Sequence, residues 1–111
     1  MRVLLTTRSS TKAERLFAEI LKKNHIPFLH RTKLEGKEID FIVGNYAIEI
    51  DGHPQSSERN SWLLKLGYIP LHYQNKALYN NLSVVEESIL SKYDIFSSNN
   101  RSFTRQIRKS L

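Results

Sequence analysis

Lys37-Glu-Ile-Asp-Phe-Ile-Val43, Gly44-Asn45 and Tyr46-Ala-Ile-Glu-Ile-Asp51 decide the fold. Two runs of alternating apolar and polar residues flank a two-residue Gly-Asn connection, the pattern of a tight β-hairpin. With Gly44-Asn45 as the turn, Val43 faces Tyr46, Asp40 sits opposite Glu49 and Glu38 sits opposite Asp51. Side chains alternate along a strand. The reading therefore places Glu38, Asp40, Glu49 and Asp51 on one face. Ile39, Phe41, Val43, Tyr46, Ile48 and Ile50 fall on the other, the expected core face.

Outward from the hairpin, the chain alternates helices and strands. Thr11-Lys-Ala-Glu14 reads as a capping box, followed by Leu16, Phe17, Ile20 and Leu21 at helical spacing. Asn24 and Pro27 end this helix, expected over 12–24. Phe28 to Lys33 is a short strand, with Leu34-Glu-Gly36 as the turn into the hairpin. After a loop at Gly52-His-Pro-Gln-Ser56, residues 57–66 read as a second helix stopped by Gly67. Trp62, Leu63 and Leu66 form its apolar side, with Trp62 expected in the core. Tyr68-Ile-Pro-Leu-His-Tyr73 is a strand whose Pro70 suits a sheet edge. Residues 75–93 read as a C-terminal helix with a break near Asn80-Asn81, and 97–111 as a basic tail. The order is αβββαβα: an α/β fold with a mixed sheet of about four strands and flanking helices, forming a single domain over 1–111. The hairpin's second strand, the second helix and the last strand form a βαβ unit, so those two strands should run parallel.

Composition narrows the chemistry. The chain has 111 residues, 40% hydrophobic and 25% charged, within the range of one globular domain. No apolar run approaches the roughly 20 residues that cross a bilayer. The opening Met1-Arg-Val-Leu-Leu-Thr-Thr7 is too short for a secretory signal. The expected location is the cytoplasm, without membrane partners. There is no cysteine, which removes disulfides, zinc-thiolate sites and cysteine nucleophiles. A metal would be held by carboxylate, imidazole or carbonyl groups, a set that suits Mg²⁺, with Mn²⁺ as an alternative. The net charge of +6 fits a polyanionic partner without requiring one.

The acidic knot stands out against this basic background. Of 11 acidic residues, four fall between Glu38 and Asp51 at matched register. Like charges directly opposite each other weaken a sheet, so something positive should compensate. A divalent cation does so compactly and can activate water against a phosphodiester. A solvated acidic face on an amphipathic hairpin is the plainer alternative.

Glu38-Ile-Asp-Phe-Ile-Val43, followed by Ala47-Ile-Glu-Ile-Asp-Gly52, resembles the PD-(D/E)XK nuclease superfamily. More narrowly, it is similar to the Vsr-like group of very-short-patch repair and phage homing endonuclease domains. The resemblance spans residues 11–73. It implies a restriction-endonuclease-like core and Mg²⁺-dependent hydrolysis of double-stranded DNA in a bacterial or phage-infected cell. A homodimer or an attached DNA-binding domain is compatible with a chain too small to read a long site alone. Asp40 matches the family's metal-binding Asp, Glu49 the acid of the next strand, Asp51-Gly52 its closing pair and Glu14 the acid on the first helix. Metal would be held by Asp40, Glu49 and the backbone carbonyl near Ile50. His53 lies where Vsr-like members tend to carry a histidine, and with Asp51 it would orient or deprotonate water. Arg59, Leu63 and Gly67-Tyr68 match the second-helix pattern.

Two departures accompany the resemblance. The usual motif carries a lysine two residues after the strand acid, where Asp51 stands. His53, Gln55 or Lys65 would then have to supply its role. An acid often found near Ser56 has Glu58 as its nearest counterpart. Arg59, Lys65, Arg101, Arg105, Arg108 and Lys109 are the expected nucleic-acid contacts, while His25, His30 and His72 are read as structural or surface residues. A nuclease-like fold that only binds nucleic acid, or an interaction subunit of a larger complex, are the rival functions.

Overall fold

The computed structural model describes residues 11–51 and 56–110, with side chains described through Ser98. Along the chain come α1 (Lys12–Lys23), β1 (Leu29–Leu34), β2 (Lys37–Val43), β3 (Tyr46–Asp51), α2 (Ser57–Lys65), β4 (Ile69–Gln74), α3 (Asn75–Asn80) and α4 (Leu82–Ser110). The sheet order is β1-β2-β3-β4. The first three strands form an antiparallel meander, and β4 joins β3 in parallel through α2. This is the expected mixed α/β sheet, with the Pro70 strand at its edge. The Asn80-Asn81 break separates α3 from α4. The expected boundaries at 93 and 97 are not element ends, because α4 continues to Ser110. Among the described residues, no helix is long and apolar enough to cross a membrane.

The local signals account for the elements. Thr11 Oγ1 accepts the Glu14 N–H at 3.1 Å and starts α1. At the other end, His25 takes a left-handed backbone (φ 56°), and the Ile26 N–H reaches back to the Leu21 carbonyl at 2.9 Å. Glu35 and Gly36 both have positive φ, as a type I′ turn between β1 and β2 requires. In the hairpin turn Gly44 alone has positive φ (58°), the signature of type II′.

Gly44 also meets a packing demand. A Cβ there would lie 2.8 Å from the Phe96 ring of α4. Gly44→Ala should therefore destabilise the fold by about 2 kcal/mol through left-handed strain and overpacking together. Gly36→Ala, with open space around it, should cost about 1 kcal/mol. Urea unfolding of both variants checks the difference.

Helices cover both faces of the sheet, a correction to the expectation of one core face and one acidic face. On one side Phe41, Val43, Ile48 and Ile50 pack with Phe17, Ile20 and Leu21 of α1, Leu78 of α3, and Val85 and Ile89 of α4. On the other, Ile42 and Ala47 pack under Leu63 of α2. Trp62 is only partly buried at the border of that second cluster, not in the core as expected. Its Nε1–H donates to Glu35 at 2.8 Å, and Lys37 lies 4.5 Å from its ring centre. Ile39 belongs to the α2 side together with Ile42, although strict alternation would separate them. The phase of β2 thus shifts between Ile39 and Phe41, at Asp40.

The β1–β2 ladder shows the same shift. Partners run Leu29↔Ile42 and His30↔Phe41, then resume at Thr32↔Ile39. Only the Arg31–Asp40 pair is skipped. The register is the same on both sides, so neither strand gains a residue. Arg31 leaves the ladder by adopting a left-handed backbone (φ 56°), which costs an arginine on the order of 1 kcal/mol.

Candidate active site

Asp40 sits where the alternation breaks. The β2–β3 ladder follows the expected register at Val43↔Tyr46, Ile42↔Ala47 and Phe41↔Ile48, and ends there. Asp40 is therefore not laddered opposite Glu49 as expected. Its Oδ2 accepts the Ile50 N–H at 2.8 Å, in place of a backbone carbonyl. Burial pushes its pKa up to about 6. The Ile50 N–H opposes that rise, and the negative charges of Glu14, Glu49 and Asp51 add to it. Asp40 thus feels acids carried by α1 and by β3 together.

Glu49 and Asp51 point to the α2 side, where each meets a basic group. Arg59 Nε donates to Glu49 Oε1, and Arg59 Nη2 donates to the Glu38 carbonyl at 2.7 Å. Ser56 caps α2 by accepting the Arg59 N–H at 3.2 Å, so the cap and the ion pair fix the same residue. His72 of β4 lies beside Glu49 in the parallel register and bonds Asp51 Oδ1 through Nε2 at 2.7 Å. These groups, with Ser56, Asn60, Pro70 and Leu71, line a cleft of about 280 Å³.

Glu14 faces the sheet from α1 and is 6% exposed. Arg31 Nη2 reaches its carboxylate at 3.2 and 3.5 Å, and His30 Nε2 lies 3.2 Å from Oε1. The capping box predicts that the Glu14 side chain turns back to Thr11. It turns to Arg31 and His30 instead, and only the Thr11 half of the box forms. Arg31 Nη1 also lies 3.8 Å from Glu38 Oε1. The His30 ring stacks on Phe41, with centroids 4.5 Å apart and planes within 5°.

The structure thus brings Asp40, Glu49, Asp51 and Glu14 into one charged neighbourhood, but not onto one flat face. Glu38 departs toward Arg31 because of the phase shift at Asp40. Among the described residues, no three His, Asp or Glu side chains form a ready-made metal cage. Lys65 lines a different surface hollow, with Ser57, Glu58, Ser61 and Trp62. His53 and Gln55 lie outside the described residues, as do the side chains of Arg101, Arg105, Arg108 and Lys109, whose backbone continues α4.

The sequence reading missed three basic residues beside these acids: His72, His30 and Arg31. His72 carried a usable signal. In the predicted βαβ unit it alternates with Leu71 and Tyr73, which places it on the face opposite their core side. His30 and Arg31 carried none, because strand alternation cannot anticipate a left-handed residue.

No family model matches the chain, and no curated protein matches it. A solved structure does. The chain is built like a homing endonuclease catalytic domain. The Homing Endonuclease I-Bth0305I Catalytic Domain superposes with a TM-score of 0.66 at 27% sequence identity. The match covers 78% of this chain and 98% of that domain. The I-Bth0305I domain is therefore matched over nearly its whole length.

Proposed function

We propose that this protein is a metal-dependent DNA endonuclease of the PD-(D/E)XK type, Vsr-like, hydrolysing phosphodiester bonds. The observation that carries the reading is Asp40, a carboxyl held at raised proton affinity among Glu14, Glu49 and Asp51. The likeness to the I-Bth0305I catalytic domain supports it. Such crowding is stable when a hard cation neutralises it, and the donor set, all oxygen, fits one. Mg²⁺ usually takes only one or two carboxylates and keeps several waters, so a complete protein cage is not required. Asp40, Glu49 and the Ile50 carbonyl are the proposed holders of Mg²⁺ or Mn²⁺. The ion, when bound, supplies Lewis-acid activation of water and phosphate.

The remaining roles belong to side chains. An ionised Asp51 only accepts hydrogen bonds, so His72 Nε2 carries the proton in their pair. Nδ1 is then the ring nitrogen able to take a proton from water, a role first expected of His53. Arg59 brings to the Glu49 edge of the cleft the fixed positive charge that the usual motif places at position 51. Glu14 completes the acidic surroundings from the α1 side and is held in place by Arg31.

The binding-module alternative also has an observation in its favour. Glu49 and Glu14 are already paired with arginines, and Asp51 stands where a lysine is usual. Incubating supercoiled plasmid with the protein in Mg²⁺, Mn²⁺ or EDTA separates the readings. Nicked or linear product in divalent metal, lost in EDTA, is the expected result. Retained DNA affinity without cleavage in either metal would leave the binding module, and neither binding nor cleavage would leave the interaction subunit.

A further inference from the structure

The basic groups beside the acids are already engaged: Arg59 on Glu49, Arg31 on Glu14 and Glu38, and His72 on Asp51. A polyanion entering the cleft therefore needs other cations to hold it. Two lie next door. Gln74 is the parallel-ladder partner of Asp51, and β4 runs directly from it into α3. There Gln74, Asn75, Lys76 and Tyr79 line a second hollow of about 390 Å³. Lys12, two residues before Glu14, reaches the Tyr79 side of this hollow from the start of α1, its Nζ 5.7 Å from the Tyr79 ring centre.

The chemistry of this hollow is that of a backbone cradle. Lys12 and Lys76 are exposed, and neither has an ion-pair partner among the described residues. Tyr79 is 49% exposed, with the Lys12 ammonium over its ring and Lys76 lining the same hollow. Asn75 Oδ1 is buried without a hydrogen-bond partner among the described residues. Asn75 also lines the hollow, and the other end of its side-chain amide, the Nδ2 group, carries N–H donors suited to an anionic oxygen. Ammonium groups bracket phosphates, an amide donor supplements them, and an aromatic face packs on a sugar or base.

We propose that Lys12, Lys76, Tyr79 and Asn75 form a DNA-backbone clamp that holds the phosphates flanking the scissile bond as the strand leaves the Asp51 end of the cleft. The clamp rests on the endonuclease reading and adds to it the surface that engages the substrate. Its residues are distinct from the carboxylates and from the Arg59 and His72 machinery.

The test is fluorescence-anisotropy binding of duplex DNA across a salt series, with plasmid cleavage on the same samples. Each phosphate contact contributes about 0.9 to the slope of log affinity against log salt. Lys12→Ala with Lys76→Ala should flatten that slope by about 2 and weaken binding roughly 30-fold near 0.15 M salt. Tyr79→Ala should cost about 5-fold. At saturating DNA the double variant should keep the wild-type kcat, with the loss appearing in KM. Lys22→Ala, at the far end of α1, should change neither. A double variant with wild-type slope and affinity, alongside a wild-type protein that binds and cuts DNA, overturns the clamp and leaves the nuclease reading standing. A wild-type protein that neither binds nor cuts overturns both. Circular dichroism melts of the variants keep a folding defect from imitating lost contacts.

Discussion

Asp40→Ala is expected to abolish cleavage, lowering kcat by roughly 10³-fold or more, because it removes a carboxylate from the proposed ion's ligand set and with it several kcal/mol of transition-state stabilisation. DNA affinity should survive, since the clamp residues and the basic surface are untouched. Asp40→Asn should be equally inactive and more stable than wild type in the absence of divalent metal. The sign follows from the pKa, 3.8 ordinarily and about 6 in the fold. Below 3.8 the group is protonated in both states and contributes nothing. Between 3.8 and 6 the unfolded chain loses its proton while the folded one keeps it, so stability falls as pH rises. Above that window the loss is complete, on the order of 2 kcal/mol once partial exposure is discounted. Asparagine keeps an acceptor for the Ile50 N–H and carries no charge. The advantage of Asp40→Asn should therefore be absent below about pH 4, grow through about pH 6 and then level off. Mg²⁺ at mildly alkaline pH should stabilise the wild type and not the variant. A stability difference that does not change with pH would show that Asp40 lacks the raised proton affinity on which the site depends.

Arg59→Ala is the second large effect, and it strikes stability and activity together. Arg59 does three things at once: it neutralises Glu49, whose side chain is 17% exposed, it satisfies the Glu38 carbonyl, and its own N–H is capped by Ser56. Removing it leaves a largely buried carboxylate without its arginine and takes one donor from the Glu38 carbonyl. A cost of about 3 kcal/mol is expected, read by urea unfolding. A lysine ammonium cannot reproduce a fork that serves two acceptors in different directions, so Arg59→Lys should recover only part of the loss. For the folded fraction, kcat should fall by about 100-fold or more if the guanidinium stabilises charge in the cleft as proposed. Lost stability with an unchanged kcat would reduce Arg59 to a brace that docks α2 on the sheet.

Both effects depend on residues that the sequence named, Asp40, Glu49 and Arg59, but in an arrangement it did not show. The hairpin register, the parallel β4 at the sheet edge and the helix breaks at Asn24 and Asn80-Asn81 were all legible, because each depends on neighbours within a few positions. Turn chemistry, capping and the alternation of side chains are local. The second hydrophobic layer under α2 was not legible, because Ile42 and Ala47 lie on the same alternation as the acids and read as interruptions of a polar face.

What the sequence by itself determined is the order of elements, the mixed sheet and the group of acids on its central strands. The tertiary structure alone decided which basic residue meets which acid. Arg31 reaches Glu14 through a left-handed backbone that skips one rung of a ladder, His72 meets Asp51 through the register of a crossover, and Lys12 meets Tyr79 across most of the chain's length. These pairings join segments distant in sequence, and their geometry depends on how helices settle on a twisted sheet. Local propensities set the conformation of each segment but carry no information about which segments will touch.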